Sequence, residues 1–162
     1  MLHAGMPQHQ NRGSAMKKKA CPELDAFIPD LSSTDRWGAI GELVDALAAA
    51  GLVTDKARAV RDVEERERSL PTGLTDGVAL PHASTPAVER RCSAAGISRA
   101  GLDFGCLDCG RAHLIFLALA NPAASGPHLE CLAEISLLLS DERKRRAFME
   151  AQSLDEARSL LG

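Results

Sequence analysis

Apolar residues recur at intervals of three and four in some stretches of this chain and in nearly unbroken short runs in others, a mixture that predicts helices laid against a sheet. Trp37, Ile40, Leu43, Val44 and Leu47 describe one helix, starting near Thr34 with Asp35 as its cap and stopping at Gly51. A second is expected to begin at Thr54 or Asp55, to carry Ala57, Val60 and Val63 on its apolar side, and to end in the charged stretch 64–68. Leu129, Leu132, Ile135 and Leu139 predict a third, with Pro127 near its first turn, and Ser153 with Glu156 forms a capping box for a last short helix. The runs 78–80, 92–97 and 113–120 read as strands, the last continuous enough for a central strand covered on both faces. Gly101, Gly105 and Gly110 mark turns between them. The expected fold class is α/β: a single domain with a mixed β-sheet flanked by helices.

Composition narrows what such a domain can do. The 162 residues suffice for one domain with a sizeable core, and 45% hydrophobic with 25% charged residues is ordinary for a globule. Residues 1–20 mix Gln, Asn, Gly, His and Ser and then run into Met16-Lys17-Lys18-Lys19 without apolar periodicity. They are expected to be a flexible N-terminal leader ahead of a folded domain spanning 21–162, with Met16 a candidate start and the lysines a solvated flank. A net charge of -3 gives no general reason to expect nucleic-acid binding, and 3% aromatic residues with no Tyr leave little for base stacking. No apolar run approaches the roughly 20 residues that span a bilayer. Five cysteines, odd in number and scattered, in a chain without a signal-peptide pattern, indicate free thiols in a reducing compartment, no structural disulfide, and a cytoplasmic location.

The candidate chemistry centres on Thr72-Gly73-Leu74-Thr75-Asp76-Gly77-Val78-Ala79-Leu80-Pro81-His82-Ala83, which delivers one histidine on a Gly-punctuated loop at the end of a short apolar run. Two glycines permit turns other residues resist, and Pro81 fixes the backbone just before His82. A neutral imidazole is nucleophilic and titrates near neutrality, so it can take a phosphoryl group and surrender it again. That group needs its spread negative charge stabilised, which an Arg guanidinium, the N–H groups of a Gly loop and a second histidine can supply. Cys106-Leu107-Asp108-Cys109 invites a zinc reading, but no second ligand pair at similar spacing accompanies it. A metal-dependent hydrolase built on His82 and His128 lacks acidic ligands, and no Gly-x-x-x-x-Gly-Lys-Ser/Thr nucleotide motif occurs. His113, on an apolar strand, reads as a satisfied sheet histidine.

Together with Glu65-Arg66-Glu67-Arg68, Gly101-Leu102-Asp103-Phe104, His113-Leu114-Ile115-Phe116-Leu117 and Pro127-His128-Leu129, this segment resembles the type-2 enzyme IIA family in motif order from about Asp35 to Leu161. These are the fructose/mannitol-type and nitrogen-regulatory phosphocarriers of the bacterial phosphotransferase system. The resemblance implies phosphorylation of His82, an arginine at Arg66 sixteen residues before it, and a second active-site histidine at His128. Arg68 is close enough in sequence to substitute for Arg66, and Thr72 and Gly73 would shape the loop. It also implies an HPr-like donor protein, a IIB component or a regulated target as recipient, and no cofactor or metal. Ser84 departs from the family, which often has Arg, Gly or Lys there. So does the 106–110 segment, usually an Asp-Gly turn, where Asp108 takes the Asp position and the glycine is displaced to Gly110. With no IIB-, IIC- or HPr-like segment in the 162 residues, the nitrogen-type regulatory role is expected. The alternatives are a sugar-transport IIA component and a non-catalytic interaction module.

Overall fold

A computed structural model describes residues 24–123 and 128–162 of the protein. The expected leader over 1–20, Cys21 and the placement of Pro127 lie outside the described residues. Strand β1 (Ala26–Ile28) leads through a turn into α1 (Arg36–Ala49). The Asp35 carboxylate caps α1 by accepting from the Gly38 N–H at 2.8 Å, and Gly51, at φ +79°, stops it as expected. Helix α2 (Lys56–Ser69) starts in the same way, with the Asp55 side chain accepting from the Arg58 N–H at 3.0 Å.

Strands β2 (Val78–Ala79) and β3 (His82–Ser84) both run parallel to β5 (Ala112–Ala120), which is antiparallel to the long β4 (Cys92–Leu102). β1 adds on in parallel at the far side of β4, giving the order β1-β4-β5-β2 with β3 continuing the β2 edge. The chain closes with α3 (His128–Leu139), α4 (Glu142–Glu150) and α5 (Leu154–Ser159). The sheet is mixed and flanked by helices, as the patterning predicts.

Two apolar layers sandwich the sheet, and β5 shows why its sequence is apolar throughout. Ile115, Leu117 and Leu119 face the layer holding Ile40, Leu43, Leu47 and Val63 of α1 and α2. Leu114, Phe116 and Ala118 face the layer holding Cys131, Ile135 and Phe148 of α3 and α4. Period-two alternation puts successive β5 residues into different layers, so both must be apolar. Among the described residues no helix is long and apolar enough to cross a membrane.

Several local expectations are corrected. The inward face of α2 is Ala59, Val63 and Glu67, whereas Ala57 is exposed and Val60 is only partly covered. The helix is turned to admit a charged residue, because Glu67 finds hydrogen-bond partners inside. On α3, Leu129 is 79% exposed and Cys131 takes the inward position. His82 opens a strand and does not sit in a loop: only Leu80 and Pro81 separate β2 from β3, and His82 is in register with Ala118. β1 and α4 have no counterpart in the patterning.

Candidate functional site

His82 is half-buried at the start of β3, following a buried Pro81. Its Nδ1 lies 2.9 Å from the Leu80 carbonyl oxygen. A carbonyl only accepts, so Nδ1 carries the proton, and in the neutral ring the lone pair is on Nε2. Burial pushes the His82 pKa below its ordinary value; the Leu80 carbonyl opposes that shift, the Arg66 guanidinium adds to it and the Glu67 carboxylate opposes it. The result is an imidazole kept neutral and nucleophilic, with one nitrogen committed and the other available.

His128, the first residue of α3, brings its ring to 5.9 Å from that of His82, centroid to centroid, at an interplanar angle of 61°. Its Nε2 is buried and has no hydrogen-bond partner among the described residues. Its pKa is also depressed, first by burial and then by the nearby His82 and Arg91. Such an orphaned buried nitrogen is costly and is a natural partner for a ligand oxygen.

Arg66, in the last turn of α2, donates from Nη1 to the Leu70 carbonyl at 3.0 Å and stays close enough for its charge to be felt at His82. Arg68 points elsewhere. Its guanidinium lies 4.7 Å from the Trp37 ring centroid and pairs with Glu64 at 3.3 Å, so it is not placed to substitute for Arg66. His113 is half-buried and donates from Nδ1 to the Ser98 carbonyl at 3.0 Å, as expected of a sheet histidine. Ser84 is exposed on β3 two residues beyond His82.

Sequence reasoning missed two residues here. Glu67 is 1% exposed, accepting from the Thr72 N–H at 3.1 Å and the Thr72 hydroxyl at 2.5 Å, with Arg36 at 3.4 Å. Nothing in the alternating charges of 64–68 singles it out, since its burial depends on Arg36, thirty-one positions earlier. Arg91, whose charge reaches His128, lies outside the segments that carry the family resemblance and has no local signal.

Gly73 is needed for space. A Cβ there would lie 2.6 Å from the Phe104 carbonyl oxygen and 2.8 Å from the Cys106 backbone. The neighbouring 106–109 turn is closed by the Cys109 N–H donating to the Cys106 carbonyl at 3.0 Å. Cys109 occupies the left-handed region at φ +59°, where glycine is favoured. The Asp108 carboxylate accepts from the Gly110 N–H at 3.0 Å and the Asp76 N–H at 3.1 Å, tying this turn to the 75–77 turn, and these two bonds hold its pKa below the ordinary value. Cys106 is buried and its thiol is pushed up, first by that burial and then by Asp108 and Asp103; Cys109 is exposed.

A sheet layered between helices, with paired imidazoles and an arginine at one edge, has the parts of a phosphoryl-transfer component. The profile of the "Phosphoenolpyruvate-dependent sugar phosphotransferase system, EIIA 2" family matches residues 23–162, and the chain belongs to that family. It is 36% identical over 126 residues to the PTS system fructose-specific EIIABC component of Bacillus subtilis, an alignment that covers 78% of this chain but only 20% of that protein. It is also 36% identical over 124 residues to the fructose-specific EIIA component of Haloferax volcanii, covering 76% of this chain and 80% of that one. Among solved structures, nitrogen regulatory protein IIA-Ntr from Neisseria meningitidis superposes with a TM-score of 0.75 at 27% identity, over 85% of this chain and 93% of that chain.

Proposed function

We propose that the protein is a histidine phosphocarrier that accepts a phosphoryl group on Nε2 of His82 from an HPr-type phosphohistidine protein. The observation that carries this reading is the hydrogen bond from His82 Nδ1 to the Leu80 carbonyl, which leaves Nε2 as the nucleophilic atom. The Nε2 lone pair attacks phosphorus, the donor's P–N bond breaks, and its electron pair returns to the donor imidazole. The positive charge left on the His82 ring is shared with the Leu80 carbonyl through the Nδ1–H bond. Arg66 turns from the Leu70 carbonyl to the phosphoryl oxygens, and protonated His128 Nε2, without a partner at present, donates to another. Transfer onward reverses these steps with a new acceptor.

Two recipients suit this chemistry: a IIB component during sugar uptake, or a target protein bound according to phosphorylation state. The fructose-specific relatives favour the first. The likeness to a nitrogen regulatory protein favours the second.

The test is intact-mass and peptide mass spectrometry after incubation with phosphoenolpyruvate, enzyme I and an HPr-type donor. The expected result is one added phosphoryl group on the His82 peptide, absent in His82→Ala. No gain with any of several donors would sink the carrier reading and leave an interaction module. Presenting the phosphorylated protein to a IIB component then distinguishes the two recipients.

A further inference from the structure

Glu67 is an acidic side chain with 0% of its surface exposed, on a helix whose neighbouring charged residues reach solvent. Burying a carboxylate is unfavourable unless its oxygens are fully engaged, and an apolar side chain would fill the same space more cheaply. What the carboxylate does that an apolar residue would not is grip Thr72 at both its N–H and its hydroxyl.

The hydrogen bonds continue from there. The Thr72 carbonyl accepts from the Leu80 N–H at 3.1 Å, and the Leu80 carbonyl accepts from His82 Nδ1 at 2.9 Å. At the other end Arg36, 5.3 Å from the Trp37 ring centroid, fixes Glu67 from α1. A continuous path thus joins α1, the end of α2, the 72–73 segment and the imidazole. We propose that Glu67 is a positioning residue that, through Thr72 and Leu80, holds the His82 ring in the tautomer presenting Nε2. This rests on the reading of His82 as phosphoacceptor.

An alternative in which Glu67 merely anchors α2 predicts no effect on the ring itself. The charged and titratable groups facing His82 are Arg66 and Glu67 from α2 and His128 from α3, with Arg91 facing His128. Glu67 supports the imidazolium while Arg66 opposes it. Removing the carboxylate charge therefore lowers the His82 pKa further, and phosphoryl acceptance retains its neutral nucleophile to lower pH.

The test uses the full chain and reads the His82 ring by long-range proton–nitrogen NMR, alongside steady-state phosphorylation by an HPr-type donor. Glu67→Gln keeps an acceptor for Thr72 but loses the charge. The expected result is a retained Nδ1–H tautomer with the acid limb of kcat moved to lower pH and KM for the donor within about twofold. Glu67→Ala loses the grip as well, and is expected to lose the tautomer preference and at least about tenfold in kcat. Should Glu67→Ala not fold, Thr72→Val, which replaces the hydroxyl with a methyl group and keeps the main-chain bond to Glu67, is expected to weaken the tautomer preference in the same direction. Folded variants with the wild-type tautomer ratio and acid limb would overturn the proposal. The ring measurement needs no donor, so a wild-type protein that takes no phosphoryl group would overturn the carrier reading while Glu67 is still judged on the tautomer.

Discussion

The rings of His82 and His128 meet edge to face, 5.9 Å apart, although forty-six positions separate them in the chain. The first opens β3 and the second opens α3, so the pair forms only when the sheet edge and the C-terminal helices are both in place. If His128 donates one charge-assisted hydrogen bond to the transferring group, His128→Ala loses about 1.5–3 kcal/mol, or roughly 10- to 150-fold in rate of phosphoryl acceptance. His82→Ala is expected to abolish acceptance. Rapid-quench labelling from a phosphorylated donor reads both, and a His128→Ala rate equal to wild type would remove His128 from the site.

Arg66 and Arg68 make a matched comparison, because they lie on the same turn of α2 and have different surroundings. Arg66→Ala is expected to slow acceptance roughly a hundredfold, the scale for removing one transition-state donor. Arg68→Ala should leave the rate within about twofold and cost about 1–2 kcal/mol of stability, for an exposed ion pair with Glu64 and the contact with the Trp37 ring together. The same labelling assay decides, and the reverse order of effects would reassign the arginine.

Both histidines are held below their ordinary value of 6.5, in each case chiefly by burial. Below that value the unfolded chain binds protons that the folded protein refuses. Their contribution to stability is therefore complete above about pH 6.5 and is lost as pH falls towards the depressed folded values. Thermal melts from pH 7.5 down to 5.5 should show a falling Tm, and a His82→Asn/His128→Asn double variant a shallower fall. Equal slopes would mean that other groups govern acid sensitivity.

Cys109 holds a left-handed backbone at φ +59° that disfavours a side chain by about 1–2 kcal/mol. Cys109→Gly relieves that strain and adds about 0.5–1 kcal/mol of unfolded-chain entropy, so the net is a stabilisation of about 0.5–1 kcal/mol. In a chain of this size that is roughly 1–4 °C in Tm. A lower Tm would show that the thiol makes a compensating contact in the turn.

Much of the architecture was legible because its signals are local. Asp35, the apolar spacing of α1 and Gly51 lie within one short segment, and β5 advertises its two covered faces by alternating into two apolar layers. α4 was hidden because residues 142–146 are all charged and only Phe148 is fully inside. β1 is three residues long and exists by pairing with β4 some sixty-eight positions later. The two histidines and Arg66 stand out as motif residues. Glu67 does not, because what makes a carboxylate buriable is the set of partners the fold brings to it, and neither Arg36 nor the Thr72 main chain is visible in a run of alternating charges.

The Leu80 carbonyl leaves His82 a single usable nitrogen. On the proposed function, giver and receiver must each reach that one atom, so they cannot be seated together. Traffic through the protein is then strictly by turns, and between encounters the molecule keeps a record of the last partner it met. The fraction carrying that record is set by the ratio of two collision rates, so the protein weighs supply against demand.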